Sequence, residues 1–204
     1  MRKEIPGTEG YAQEAAELVG YYESIPFTDK HRAAMHLLPA APARVADIGA
    51  GTGSDAAWLA SQGHRVVAVE PTRELREPGR ALHPSTSIEW VDDSLPALSL
   101  MQARVGQFSL VMMTAVWMHL DKGQREIAMP AVARLLAPGG VIVMSLRHGP
   151  VPEGRQMFDV SAAETIALGE RFGLEAVLST KAGSIQKVNR QAGVTWSCVG
   201  LRRE

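Results

Sequence analysis

Three glycines at alternate positions, Gly49, Gly51 and Gly53, stand in the stretch Val45-Ala46-Asp47-Ile48-Gly49-Ala50-Gly51-Thr52-Gly53-Ser54. Lacking side chains, they let the backbone come close to a ligand. The stretch leaves an apolar run and opens a segment of helical pattern, and a helix N-terminus favours a carboxylate or phosphate. Two ligand classes use such a loop. The dinucleotide fingerprint G-x-G-x-x-G requires a third glycine, at Ser54 counted from Gly49 or at Ala56 counted from Gly51, and neither is glycine. No P-loop lysine follows, which disfavours a nucleotide triphosphatase. Asp47 is buried by its place in a strand and needs partners; organising the glycine loop and touching the ligand are equally open to it.

Other residues carry weaker signals. His119, in Val116-Trp117-Met118-His119-Leu120, has the pKa range of a general base, although packing explains a histidine there as well. Trp117 and Met112 fit either a pocket wall or the core. Arg147-His148-Gly149-Pro150 follows an apolar run. Arg147, with Arg155 nearby, has the fork geometry to grip a carboxylate or phosphate, or it is a surface residue beside a turn. His31, His36, His64 and His83 stand alone and read as surface positions. Cys198 is the one cysteine; it sits in an apolar run and reads as a small buried hydrophobe.

The elements that must position these residues come in two styles. Residues 1–43 read as a helical cap: Gly10–Tyr22 has helical spacing, Ser24-Ile25-Pro26-Phe27 interrupts it, and Thr28 is a candidate N-cap for a helix to Leu38. From Arg44 short apolar runs alternate with helical segments. The runs are Arg44–Ile48, Arg65–Glu70, Ser87–Val91, Phe108–Thr114 and Gly140–Leu146. The helical segments are Ser54–Gln62, Thr72–Leu82, Ala97–Gln102 and Asp121–Leu136, with Pro130 dividing or kinking the last. Runs apolar on both faces are those of buried parallel strands, so residues 44–204 are expected to form one α/β domain with helices on both faces of the sheet. Ser161-Ala162-Ala163-Glu164 is a capping box opening a helix to Phe172. Leu174–Ser179 and Val194–Leu201 complete seven strands, and the short linker between them predicts an antiparallel pairing at the end of the sheet.

Composition narrows the classes of function. The chain has 204 residues, 21 basic and 22 acidic, with a formal net charge of -1, so the basic excess of a nucleic-acid enzyme is missing. One cysteine makes no internal disulfide, no Cys/His cluster has zinc spacing, and no metal is expected. A polar stretch from Met1 to Gly10 and no apolar run of about 20 residues point to a cytoplasmic protein off the membrane.

An acid two residues before G-x-G-x-G, as at Asp47, resembles the first motif of the class I S-adenosylmethionine-dependent methyltransferases. The resemblance runs on in register. Val66-Val67-Ala68-Val69-Glu70 resembles the second strand, whose terminal acid holds both ribose hydroxyls in that family. A carboxylate offers only acceptors, which suits two donor hydroxyls. Pro71 follows it. Glu89-Trp90-Val91-Asp92-Asp93-Ser94-Leu95-Pro96 offers two acids for the adenine amino group, with Asp92 preferred over Asp93. Phe108–Thr114 resembles the strand leading to the transfer pocket, with Ser109 where many relatives have an acid, and Leu135-Leu136-Ala137-Pro138-Gly139-Gly140 resembles the turn before the fifth strand. The resemblance covers roughly residues 44 to 147.

That family implies a Rossmann-like seven-stranded sheet, mostly parallel with an antiparallel last strand. It implies S-adenosylmethionine as methyl donor and S-adenosylhomocysteine as product. Carried over to this sequence, the cofactor site comprises Asp47, Gly49, Ala50, Gly51, Gly53, Glu70, Pro71, Asp92, Asp93 and Thr114. The acceptor site comprises Tyr21, Tyr22, Trp117, Arg147 and His148, since in similar enzymes the N-terminal segment closes over the pocket. His119 is the candidate base. The Pro-Pro-aromatic sequence of amino-group DNA methylases is replaced by Thr114-Ala115-Val116-Trp117, no Pro-Cys nucleophile is present, and no acid cluster stands there for a catechol-type metal. A small-molecule acceptor is the residual expectation. Two alternatives stand beside it: a binder of the same cofactor without turnover, and a nicotinamide-dependent oxidoreductase.

Overall fold

A computed structural model describes residues 5–204; the first four residues of the expected cap and of the polar Met1–Gly10 stretch lie outside it. The seven strands are β1 (Arg44–Ile48), β2 (Arg65–Val69), β3 (Ile88–Val91), β4 (Phe108–Thr114), β5 (Leu136–His148), β6 (Leu174–Gly183) and β7 (Thr195–Arg203). They form one sheet in the order β3-β2-β1-β4-β5-β7-β6. Pairings from β3 through β5 are parallel, while β7 runs antiparallel to both β5 and β6. Strand order reverses between β1 and β4, and a ligand crevice opens at such a switch point.

The helices are α1 (Tyr11–Glu23), α2 (Phe27–Lys30), α3 (Ser54–Ser61), α4 (Arg73–Leu82), α5 (Lys122–Ala133), α6 (Ala162–Glu170) and α7 (Lys187–Gln191). Alternating strand residues feed two cores. Ala46, Ile48, Val111, Met113, Ile142 and Met144 face one, with Met129 and Val132 of α5. Val45, Val66, Ala68, Leu110, Met112 and Val143 face the other, with Ala56 and Leu59 of α3 and Phe27 of α2. Phe27 stacks on Trp58 with ring centroids 3.9 Å apart, which ties the cap to α3.

Several expected boundaries move. The helix expected from Thr28 to Leu38 is instead α2 followed by a 3-10 segment, Arg32–Leu37, with Pro26 at the N-cap position. Pro130 lies inside an undivided α5; its missing N–H removes one bond, and the rest of the helix holds. The segment expected as a helix at Ala97–Gln102 is a short 3-10 turn at Met101–Arg104. Ala137-Pro138-Gly139-Gly140 falls within β5, where Phe108 pairs with Leu136 and Leu110 with Val141, so the glycines form a bulge. Of the expected box at Ser161, the Ser161 hydroxyl accepts the Glu164 N–H, but the Glu164 carboxylate turns to Arg125. A full capping box stands at Asp121 and Gln124 instead.

Candidate active site at the carboxyl ends of the strands

A cavity of about 1120 Å³ opens over the carboxyl ends of β1, β2, β4 and β5 and is covered by α1. Drug-sized ligand pockets span roughly 300–1,000 Å³, so this one has room for two small molecules together.

The glycine loop forms its floor. Gly49, Ala50 and Gly51 line it, and all three loop glycines have positive φ. Gly53 faces away: a Cβ there would stand 2.5 Å from Trp90 of β3. Its missing side chain makes room for the indole, which corrects its expected role in lining the site. At Gly49 a Cβ would meet Val116 at 2.4 Å, so the loop and the end of β4 close on each other there.

Glu70 follows β2 and is 5% exposed. Its Oε2 accepts the Gly51 N–H at 2.8 Å and its Oε1 the Thr72 N–H at 2.7 Å. Burial raises its pKa, and those two N–H groups oppose the rise. Each oxygen keeps acceptor capacity toward the cavity, as two vicinal hydroxyls would need. Pro71 lines the cavity beside it. Asp47 also lines it, fully buried, with Oδ2 unpartnered among the described residues. Burial and the neighbouring Asp55 raise its pKa well above the ordinary value, a rise that a cation placed against it would oppose.

The two adjacent acids divide. Asp92 lies off the cavity, ion-paired with Arg76 of α4 at 2.8 Å. Asp93 lines it with Ser94 and Leu95, but its carboxylate accepts the N–H groups of Ser94, Leu100 and Met101. That carboxylate fixes the loop, so the preference for Asp92 is corrected to the Asp93–Leu95 backbone.

On the acceptor side Tyr21, Tyr22, Thr114, His119 and Arg147 line the cavity. Trp117 does not: it is fully buried in the core, as is Met112. His148 does not either; successive strand side chains point to opposite faces, and its Nε2 pairs with Ser197 Oγ at 2.8 Å.

His119 is fixed at both nitrogens. Nδ1 lies 2.8 Å from the Gln156 carbonyl, which only accepts, so Nδ1 carries the proton and donates. Nε2 is then the acceptor for the Tyr11 hydroxyl at 2.9 Å. Burial lowers the His119 pKa and raises that of Tyr11. Tyr11 gave no sequence signal beyond helical spacing; its partner is 108 residues away. Arg155 lies 4.1 Å over the Tyr11 ring and pairs with Glu14 through both terminal nitrogens, so it is not an open anion site.

A second cluster joins the cap to the loop. Asp55, in the first turn of α3, accepts from Lys30 Nζ and lies within 2.7 Å of His31 Nε2, while the Thr114 hydroxyl donates to it at 2.9 Å. Burial pushes its pKa up, but His31 and Lys30 more than reverse this and hold it below the usual range. His31 and His64 are each 4% exposed, which corrects the surface reading for these two, while His83 stays near the surface and contacts Glu23 at 3.1 Å. Glu23 also accepts the Thr52 hydroxyl of the glycine loop.

Comparison with known proteins fits this geometry. A methyltransferase-domain family profile matches residues 45–140, from β1 into β5. Over that stretch the chain is similar to methyltransferase domains, in line with its resemblance to the class I S-adenosylmethionine-dependent methyltransferases. The cofactor of that family is S-adenosylmethionine. Curated methyltransferases of Mycobacterium tuberculosis and Mycobacterium bovis are 38% identical over 112 residues, which are 51% of this chain and 40% of theirs. The chain thus matches about two fifths of the length of those relatives. Among solved structures, the methyltransferase domain superposes on a Burkholderia thailandensis 1,6-didemethyltoxoflavin-N1-methyltransferase, which holds 1,6-didemethyltoxoflavin and S-adenosylhomocysteine. The TM-score is 0.70 at 20% identity, over 100% of this chain and 92% of that one. A TehB-like methyltransferase of Corynebacterium glutamicum gives a TM-score of 0.65 at 20% identity, over 95% and 96% of the two chains. At these identities the structural matches speak for the fold. Among the described residues no helix is long and apolar enough to cross a membrane.

Proposed function

We propose that the protein transfers a methyl group from S-adenosylmethionine to a small-molecule acceptor in the cytoplasm. The observation that carries this reading is the buried Glu70 carboxylate, locked to the Gly51 N–H at 2.8 Å and facing a cavity large enough for both reactants. When bound, S-adenosylmethionine supplies an electrophilic methyl group on a sulfonium, which an acceptor atom displaces in line. Glu70 would hold the ribose hydroxyls, with Pro71 against the sugar. The unpartnered Asp47 Oδ2 would meet the amino group of the methionine tail, and Gly49, Ala50 and Gly51 present backbone to it. The Asp93–Leu95 backbone would meet the adenine edge. Thr114 reaches the same floor through its bond to Asp55.

Tyr21, Tyr22 and Arg147 would border the acceptor, beneath the residues of α1 that line the cavity. His119 would act as base, taking the acceptor's proton through the Tyr11 hydroxyl. Its Nε2 lone pair is available because Nδ1 is spent on Gln156. A concave, largely apolar cavity suits a small acceptor better than a nucleic acid.

The test is transfer of label from methyl-tritiated S-adenosylmethionine to a small-molecule extract of cells. Wild-type protein should label a low-molecular-weight product, and Tyr11→Phe should slow labelling strongly. Binding of the donor with no labelled product from any extract would favour a cofactor sensor without turnover.

A further inference from the structure

Among the described residues four Lys and Arg side chains line the cavity, and three have acidic partners. Lys30 pairs with Asp55 at 2.7 Å, Arg32 with Asp29 at 2.9 Å and Arg155 with Glu14 at 2.7 Å. The fourth is Arg147, at the carboxyl end of β5. Its one hydrogen bond among the described residues is from Nη1 to the neutral Pro150 carbonyl at 2.6 Å. Four of its five N–H donors are therefore open.

We propose that Arg147 is an anion subsite of the acceptor chamber, and that the methyl acceptor is a small carboxylic acid with an aromatic or apolar body. This rests on the methyltransferase reading above. A half-buried guanidinium without a counter-ion is costly, because desolvation is not repaid by an ion pair. Burial depresses the Arg147 pKa, consistent with that cost. The two buried arginines are paired, Arg76 with Asp92 and Arg125 with Glu164. Arg147 instead faces a cavity with no acid against it among the described residues, which marks a place for a ligand charge. The fork fits a carboxylate or a phosphate, but one guanidinium balances the single charge of a carboxylate and leaves part of a phosphate monoester's charge unpaired. Tyr21 and Trp196 also line the cavity and offer rings for the body of the acid. Arg147 acts electrostatically on His119, and Tyr11 on Arg147, so an acid anchored at Arg147 lies within the field of the proposed base.

Calorimetry on protein loaded with S-adenosylhomocysteine tests this, using 4-hydroxybenzoate, its amide and phenyl phosphate as probes. The acid should bind, the amide at least tenfold more weakly, and Arg147→Gln should weaken the acid about tenfold or more while S-adenosylhomocysteine affinity stays within twofold. Equal binding of acid and amide, or tighter binding of phenyl phosphate than of the acid, would overturn the proposal. So would no binding of the acid by protein that holds S-adenosylhomocysteine. Failure to bind S-adenosylhomocysteine itself would instead sink the methyltransferase reading. A ligand-free measurement separates a recognition role from a structural one. Arg147→Met should melt at or above the wild-type temperature, and Arg155→Met below it. A drop of about 3 °C or more for Arg147→Met would show that Arg147 holds the fold and would overturn the subsite.

Discussion

Glu70 joins two jobs in one carboxylate. It ties the glycine loop to the start of α4 through two backbone N–H groups, and it turns its remaining acceptor capacity to the cavity. Charge-assisted bonds of this kind contribute about 1.5–3 kcal/mol each. Glu70→Ala is therefore expected to lower S-adenosylhomocysteine affinity by about 100-fold or more, measured by calorimetry on protein shown to be folded by circular dichroism. Glu70→Gln should fall between, since its amide keeps one acceptor and presents a donor to the Gly51 N–H. His119 gives a kinetic prediction. Buried and neutral, it titrates below the ordinary value of 6.5 because burial disfavours its charged form. Turnover at saturating donor should hold through that value and fall only below it, as Nε2 takes a proton. His119→Gln and Tyr11→Phe should each lower kcat roughly 10²- to 10⁴-fold, with donor affinity unchanged. A kcat independent of both side chains would show that the acceptor needs no base. What the sequence displays at this scale is local: Asp47, Gly49, Gly51 and Glu70 lie in two short motifs whose resemblance to the methyltransferase family points to them. Tyr11, Lys30, His31 and Asp55 are brought together only by folding, from 24 to 108 residues apart, and no local pattern marks them.

At the scale of elements, the alternation of short apolar runs and helices is enough to foresee a parallel sheet, and the antiparallel end follows from the short β6–β7 connection. Assignments fail by one residue or by one turn. His148 and Arg147 are neighbours on β5, and only one of them faces the cavity. Trp117 lies two residues from His119 but turns into the core. Gly53 illustrates how an element contact replaces a ligand contact. With φ near 79° and Trp90 2.5 Å from any Cβ, Gly53→Ala combines backbone strain with overpacking between the loop and β3. The expected loss is about 2–4 kcal/mol in urea unfolding, larger than for Gly139→Ala, whose Cβ meets nothing within 4 Å.

Over the whole molecule, α1 and α2 are fastened to the α/β domain by polar contacts: Glu23 to Thr52 and His83, Lys30 and His31 to Asp55. Burial works against the Asp55 carboxylate, and its neighbours His31 and Lys30 more than compensate, so its folded pKa lies below its unfolded one. The sign follows by linkage: the stability it contributes is present above the unfolded pKa of about 4 and is lost as pH falls through the folded value. Asp55→Asn should therefore flatten the decline of melting temperature below pH 4 while lowering stability at pH 7. An unchanged acid limb would show that this cluster does not hold the cover down. A single site for two reactants under this cover is the feature on which the functional reading depends.

The most direct measurement is calorimetric titration of the purified protein with S-adenosylhomocysteine and S-adenosylmethionine, with NADH as control. Micromolar binding of the adenosyl ligands, lost in Glu70→Ala, with none for NADH, is the predicted result. Folded protein that binds neither adenosyl ligand, or that binds NADH in their place, would contradict it.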